Sequence, residues 1–537
     1  MNAPRHPEVL VCGAGPSGLV LALRLVRAGV RVRIVDAAPG PGTTSRALVV
    51  HARTLELYRQ MGLADSLIAE GMPFGGANLW VRGRRVAHVE LGEIGTGLSR
   101  FPFMLVVPQD RHERFLVEHL RRAGLEVERQ TKLVGFEQGE HTVRATLAHA
   151  DGSTETCEAA YLAGCDGAHS RVREVLGIGF PGGTYAQYFY VADVEATGPV
   201  MNGELHVAVD DADFLAIFPL HGGRTARLVG LARAEREGVP ERLGWSDVRS
   251  RVIEQLGVGV QKVNWFSTYK VHHRVADAFR RGRVFLVGDA AHIHSPVGGQ
   301  GMNTGIGDAV NLSWKLAEVL LGRASEEILA SYEPERSAFA HTLVDTTDRA
   351  FVITTSPGPV ARFVRTRIVP RVIPPLTQLT AFKRTAFRVL SQIRIHYRGS
   401  PLGEGKAGPI RGGDRLPWVE LSAAGGATDN FAGLDGIAWQ VHVYGTPGTR
   451  LAEACARLDL SLRVFPWSPT MQAAGLTRDR LYLVRPDGYV ALVSDANPAR
   501  LEAFVGTIRG NGKRETPTRP SRASAQRAPA SQTAVTP

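Results

Sequence analysis

The glycine pattern near the N-terminus constrains this chain more than any other feature. Gly13-Ala14-Gly15-Pro16-Ser17-Gly18 follows the short apolar run EVLVC and precedes the amphipathic stretch LVLALRLVRAG and the alternating segment VRVRIVD. Those lengths and periods predict strand, turn, helix and strand, a βαβ unit. In such a unit the first glycine allows the tight turn and the second lets a pyrophosphate approach the backbone. The third lets helix and strand pack closely, and the helix N-terminus faces the phosphates. Asp36 ends the next strand, where an acidic side chain holds a ribose hydroxyl. Gly403, Gly405 and Gly408 repeat the spacing but follow no apolar run and lead into Pro409, so their context assigns them to a linker.

At 537 residues the chain is too long for one core. Its formal charge of +11 invites a nucleic-acid reading. Residues 511–537, however, hold Lys513, Arg514, Arg519, Arg522 and Arg527 against Glu515, and the other arginines form no stripe interleaved with aromatics. No nucleic-acid partner is therefore expected. Cys12, Cys157, Cys165 and Cys455 have neither C-x-x-C spacing nor histidines at zinc-ligand spacing, so no disulfide framework or metal site is indicated and a reducing cytoplasm fits. The run Val9–Leu23 resembles a signal peptide but is broken by Gly13, Gly15, Pro16 and Gly18, and no apolar run is long enough to span a bilayer.

The domain organisation follows from shifts in period. Residues 1–180 form the first part of a dinucleotide-binding domain, with segments near 75–105 contributing to a second domain. Residues 181–274, with QYFYVADVEA, FLAIFPLHGG and TARLVGLARA, alternate as an inserted, mainly antiparallel sheet. The buried-strand pattern RVFLVGD and the helical pattern MNTGIGDAVNLSWKLAEVLLG return the chain to the first domain over 275–398, with SPGP and VPRVIPP as breakers between helices. A Gly/Pro-rich linker is expected at 399–415, a small α/β domain at 416–510 and a disordered tail at 511–537.

Two further motifs choose among dinucleotides. Arg283-Val284-Phe285-Leu286-Val287-Gly288-Asp289-Ala290-Ala291-His292 and Cys165-Asp166-Gly167-Ala168-His169-Ser170-Arg171-Val172-Arg173, in order behind the glycine loop, resemble the class A flavoprotein aromatic hydroxylases. That family includes para-hydroxybenzoate, phenol and polyketide-tailoring hydroxylases, and the resemblance covers residues 8 to 505. It implies a Rossmann-like FAD-binding α/β domain with an inserted antiparallel substrate sheet. Gly413-Asp414-Arg415-Leu416-Pro417 and Val484-Arg485-Pro486-Asp487-Gly488-Tyr489-Val490 match the C-terminal thioredoxin-like α/β domain of larger members. Without C-x-x-C, that domain is left a structural or dimerisation role, and a homodimer stays open.

Carried over residue by residue, the resemblance assigns Gly13, Gly15, Pro16, Ser17, Gly18 and Asp36 to the ADP moiety, although many relatives carry Glu where Asp36 stands. It assigns Ser45 and Arg46 to the FAD phosphates, Gln109 to the flavin, Asp166 and Gly167 to both cofactors, and Asp289 to the ribityl chain. The segment Ser295-Pro296-Val297-Gly298-Gly299-Gln300-Gly301-Met302-Asn303 also has a physical meaning of its own. A glycine-rich loop can lie against a flat ring, and the helix starting near Met302 points its positive end at an anionic reduced flavin. Pro296, Gly301, Met302 and Asn303 are thus cofactor candidates, and Arg46, Pro296, Gly299 and Tyr269 the catalytic ones. His51, Tyr190, Phe214, Phe218, Trp265 and Tyr269 are substrate candidates; His292 and His294 read as packing or capping groups rather than metal ligands.

The family's chemistry uses NADPH or NADH as a transient electron donor and O₂, which adds at flavin C4a; the hydroperoxide hydroxylates a phenolic or polyketide ring. Baeyer-Villiger, epoxidising and antibiotic-inactivating monooxygenases share the scaffold. Flavin halogenases are disfavoured by the absence of W-x-W-x-I-P. A non-catalytic flavin- or nucleic-acid-binding protein is the alternative of another class.

Overall fold

The first strand, Val9–Cys12, is buried along its whole length because parallel strands flank it on both sides: Tyr161–Gly164 on one and Val32–Val35 on the other. With Val284–Leu286 beside Tyr161–Gly164 and Arg280–Arg281 at the edge, these make a five-stranded sheet. Helix Pro16–Arg27 packs on the long helix Gly301–Leu320, so segments nearly three hundred residues apart in sequence share one core. This computed structural model describes residues 6–42, 47–210, 213–220, 223–232, 243–248, 251–355, 358–421 and 428–510. Ser45, Arg46 and the tail 511–537 lie outside the described residues.

The second sheet has eight strands, in the order His292–Ile293, Gly259–Val275, Gly182–Thr197, Thr225–Ala232, Phe214–Pro219, Leu205–Val209, Gly76–Val81 and Arg84–Glu90. All neighbours are antiparallel except Leu205–Val209 with Gly76–Val81. One face carries Tyr190, Ala192 and Leu228 and is closed by Val252 and Ile253 of helix Arg251–Gln255. The other carries Phe189, Tyr269 and Phe214 and meets Phe351 of helix Tyr332–Thr355.

The C-terminal unit has a sheet ordered Ile410–Arg411, Glu404–Ala407, Val490–Asp495, Arg480–Val484, Gln440–Tyr444, Ser461–Phe465. Its last four strands, parallel only between Gln440–Tyr444 and Ser461–Phe465, have the thioredoxin-like arrangement. Two sequence expectations are corrected here. Residues 399–415 are not a linker: Glu404–Ala407 pairs with Val490–Asp495, and Gly405 (φ +81°) is needed because a Cβ there would strike the Val493 carbonyl. A glycine placed for close strand approach reads in sequence like a glycine placed for flexibility. Likewise VPRVIPP is the helix Val369–Leu376; Pro370 suits a first turn, and Pro374 and Pro375 sit late in an eight-residue element.

Candidate active site

The glycine loop shows three different constraints. A Cβ on Gly13, whose φ is +104°, would stand 2.3 Å from the Cys165 carbonyl oxygen, and one on Gly18 would stand 2.0 Å from the Gly13 carbonyl oxygen. Both glycines are therefore required by the fold. Gly15 differs: its φ of −74° suits any residue, and a Cβ there would meet nothing within 4 Å. It lines an open cradle at the N-terminus of helix Pro16–Arg27, where unpaired backbone N–H groups favour an anion. Asp36 braces this cradle, accepting from Ala14 N at 2.6 Å and from Ala38 N at 2.7 Å, with Arg129 3.7 Å away. The donor set thus fits a dinucleotide pyrophosphate.

Two more walls converge on the same opening. Asp166 follows strand Tyr161–Gly164 and accepts from Val172 N with Oδ2, while its buried Oδ1 has no partner. Burial pushes this carboxyl above its ordinary value despite hydrogen bonds from Ser170 and Val172. An orphaned acceptor beside Gly167 (φ +78°) suits a ligand donor. Opposite, Gly288-Asp289-Ala290 turns tightly after strand Val284–Leu286. Gly288 (φ +63°) and Gly305 lie so close to Ser17 that a Cβ on either would fall within 2.6 Å of its Oγ. Asp289 is exposed on the turn, whereas Gly288 and Ala290 are buried.

This turn is held from beneath by residues that the sequence reading missed. Asp308, fully buried, accepts from Gly288 N at 3.1 Å, from Arg336 at 2.5 Å, and faces His292 Nε2 at 2.7 Å. Burial alone would raise its carboxyl, but Arg336 and His292 hold it below the ordinary range. His292 is thus a packing histidine within an ion network, and among the described residues no group of three or more His, Cys, Asp or Glu could hold a metal.

The loop 295–303 begins where strand His292–Ile293 leaves the edge of the eight-stranded sheet. Pro296 and Gly298 are exposed, and Gly298 and Gly299 adopt φ of +78° and +62°. Asn303 is spent internally. Its amide donates to Val49 O at 2.8 Å and Gly299 O at 3.0 Å, while its oxygen accepts from His51 N and Thr54 Oγ1. With 1% of its surface exposed and its amide satisfied within the protein, it shapes the loop, where the sequence reading expects cofactor contact. His51 is corrected too: it is fully buried under the loop, with Nε2 3.1 Å from Gly299 O. Burial lowers its imidazole to about 4, so it is neutral and donates that hydrogen bond. Met302 reaches the ring of His112, which faces Tyr58. Gln109 opens helix Gln109–Arg122 beside this region, its amide on Glu113.

Cross-strand pairing sorts the aromatic candidates. Tyr269 pairs with Phe189, Trp265 with Asp193 and Phe218 with Arg227, which places Phe214, Phe218, Trp265 and Tyr269 on one face by the two-residue period. Arg227 forms a two-point ion pair with Asp193 and lies over Trp265. Phe218 packs against the main core, and Phe214 and Tyr269 pack with Phe189 and Phe351. Tyr190, one residue out of phase, points the other way and is 3% exposed among Trp245, Phe266 and the helix Arg251–Gln255. Its place among the substrate candidates is corrected on that ground.

Residues 6–347 match the family model described as FAD binding domain, and residues 410–511 match that described as aromatic-ring hydroxylase, C-terminal. The chain is 34% identical over 520 residues to 6-methylpretetramide 4-monooxygenase of Streptomyces rimosus, spanning 90% of each chain. It is 32% identical to rifampicin monooxygenase of Rhodococcus hoagii, over 95% of this chain and 99% of that one. Aklavinone-11 hydroxylase, solved in a ternary complex with FAD and aklavinone, superposes with a TM-score of 0.75 at 27% identity, covering 94% of this chain and 99% of that one. The chain therefore belongs to the FAD-dependent aromatic-ring hydroxylases.

Proposed function

We propose that this chain hydroxylates a phenolic or polyketide aromatic ring held between the sheet face bearing Phe214, Phe218, Trp265 and Tyr269 and the loop 295–303. The observation that carries this reading is the run of strand His292–Ile293 from the edge of that sheet directly into the glycine loop. Bound FAD supplies the oxygen chemistry, with NADPH or NADH as reductant and O₂ as co-substrate. Gly15, Gly13, Gly18 and Asp36 hold its ADP end, Asp166 and Gly167 its middle, and Asp289 its ribityl chain, with Gln109 alongside. Ser45 and Arg46 belong to the same set. Pro296, Gly299 and Gly301 offer backbone to the ring, and neutral His51 fixes the Gly299 peptide from below. The aromatic face excludes water from the reacting centre. We place the enzyme in the cytoplasm, in keeping with four free cysteines that are all buried.

The test is NAD(P)H oxidation by the flavin-loaded enzyme across phenols and aromatic polyketides under ¹⁸O₂. Substrate-stimulated oxidation with one labelled oxygen in a hydroxylated product is expected; label drawn only from water, or no stimulation by any aromatic, would reject the reading. The likeness to a rifampicin monooxygenase favours antibiotic inactivation as a second reading, and product structure separates the two.

A further inference from the structure

Beyond its chemistry, the chain carries a surface that the active site does not use. Among the described residues the large apolar side chains that stand exposed are Val134, Val360, Phe363, Ile368, Val372, Leu379 and Val464, so all but two fall within one short stretch. Val360 is 75% and Phe363 58% exposed. The stretch runs as helix Pro359–Phe363, a π-helical turn Val364–Ile368 and helix Val369–Leu376. The wide turn absorbs one extra residue, so Val360, Phe363, Ile368 and Val372 stay on one side of the rod. A second helix, Thr380–Leu390, buries Phe387 against Gly95, with Lys383 and Arg384 half-buried and Arg388 exposed.

The charge of this region is one-sided. Between Asp348 and Glu404 the sequence has no Asp or Glu, while Arg349, Arg362, Arg365, Arg367, Arg371, Lys383, Arg384, Arg388, Arg394 and Arg398 all fall there. Arg367, Arg371 and Arg388 are exposed, and Arg371 donates to the Arg367 carbonyl. Arg398 is paired with Asp414 and Arg415 with Glu56, whereas Arg367 and Arg371 project into solvent beside the stripe. An apolar stripe flanked by arginines matches the interface of an anionic bilayer, where acyl chains take the stripe and headgroups take the guanidinium groups. A second copy of this chain would present the same positive charge, and an acidic protein surface would leave the stripe in contact with polar groups.

We propose that residues 359–388 form a peripheral docking surface for anionic lipid membranes. Helix Val369–Leu376 packs on strand Arg84–Glu90, the edge of the sheet whose aromatic face is assigned to substrate, and helix Tyr332–Thr355, which leads into the stretch, supplies Phe351 to that face. Docking would bring the aromatic face near a phase that dissolves lipophilic aromatics. The lipid interaction itself stands or falls independently of the substrate reading.

The experiment is co-sedimentation of the full-length, flavin-loaded enzyme with vesicles of phosphatidylcholine alone or with about one third phosphatidylglycerol. The parent should bind only the anionic vesicles, less so at high salt. Arg367→Glu/Arg371→Glu and Phe363→Ser/Ile368→Ser, checked for retained flavin, should each lower partitioning by about tenfold or more. Arg519→Gln/Arg522→Gln/Arg527→Gln should keep most of the parent's binding, separating this surface from the basic tail. Equal binding by parent and surface variants, loss confined to the tail variant, or no binding by the parent would overturn the proposal. So would surface variants that alter only oligomeric state in light scattering, or a parent that binds polyglutamate and not vesicles; the first result marks an interface between copies and the second an acidic partner.

Discussion

Replacing Gly15 with Ala separates binding from folding at one position. The backbone at Gly15 (φ −74°, ψ 179°) is allowed for Ala, is the conformation a residue before proline prefers, and leaves a Cβ with no protein atom within 4 Å. Folding should therefore be unaffected, or gain slightly from lost unfolded-state entropy. FAD binding should not be, because that Cβ occupies the cradle. Displacing the pyrophosphate from one or two backbone donors forfeits charge-assisted hydrogen bonds worth about 1.5–3 kcal/mol each, and a loss of ~3 kcal/mol is roughly a hundredfold in Kd. Gly18→Ala should behave oppositely, since its Cβ meets the Gly13 carbonyl oxygen at 2.0 Å and the helix must shift. The assay is FAD titration by fluorescence beside thermal unfolding of each flavin-free variant. Unaltered FAD affinity in Gly15→Ala, or equal loss of stability in both variants, would refute the reasoning.

Three further outcomes follow from the same geometry. Asn303→Ala strands Val49 O, His51 N and the Thr54 hydroxyl, while Gly299 O keeps His51 Nε2, so loop 297–303 should loosen by ~3 kcal/mol at about 1 kcal/mol per stranded group. Faster amide exchange there and more H₂O₂ per NAD(P)H consumed would show it; parent-like exchange would contradict it. His51 and His112, fully buried and lowered to about 4, bind protons less readily folded than unfolded, so their contribution to stability is present above an unfolded pKa near ~6.5 and is lost as pH falls toward 4. Unfolding free energy should fall between pH 7 and pH 5 by ~2 kcal/mol for each histidine, seen as a lower melting temperature, and a flat profile would count against both assignments. Arg485→Met should cost ~3–5 kcal/mol in denaturant titration by leaving Glu335 buried beside Lys315 alone, and Arg485→Met/Glu335→Leu should recover part of it.

What the sequence made legible was whatever depends on backbone geometry near a ligand. The glycine loop and the inserted sheet are legible because glycine at a forced position and two-residue alternation are local signals, whereas the Asp166-Gly167 and Gly288-Asp289 turns are legible only through the family resemblance. Stacking of Tyr190 on Phe266, on the face opposite Phe189, follows from the strand period only once register is known. Register is set by tertiary contacts, and a slip of one residue reverses every side chain. Over 399–415 composition points to a linker because it cannot tell a glycine that bends from one that lets strands touch. Asp308, Asn311 and Lys315 carried a signal that was passed over: polar residues at positions i, i+3 and i+7 of an apolar helix fall on one face, and buried charge requires partners elsewhere in the chain.

Those partners tie the C-terminal unit to the elements beneath the glycine turn and loop 295–303. Glu335 accepts from Arg485 at 2.7 and 2.9 Å, from Lys315 at 2.9 Å, from Asn311 at 2.6 Å and from Ser400 at 2.6 Å. Burial would raise its carboxyl, yet Arg485 and Lys315 hold it well below the ordinary range, and burial brings the Lys315 ammonium down to about 8. The adjacent Arg336 ties Asp308, and through it Gly288 N, to the Tyr397 hydroxyl, whose ring lies 4.3 Å from Tyr489. On the other side Arg415 grips Glu56 of the helix that follows His51, and Arg53 donates to the Asp487 carbonyl. Buried ion pairs add little net stability because desolvation offsets their attraction, but they tolerate few alternative geometries. An array fixed at Glu335, Asp308 and Glu56 can hold the turn at Gly288 and the helix beneath loop 295–303 in one relation, which is a positional role that needs no cysteine pair.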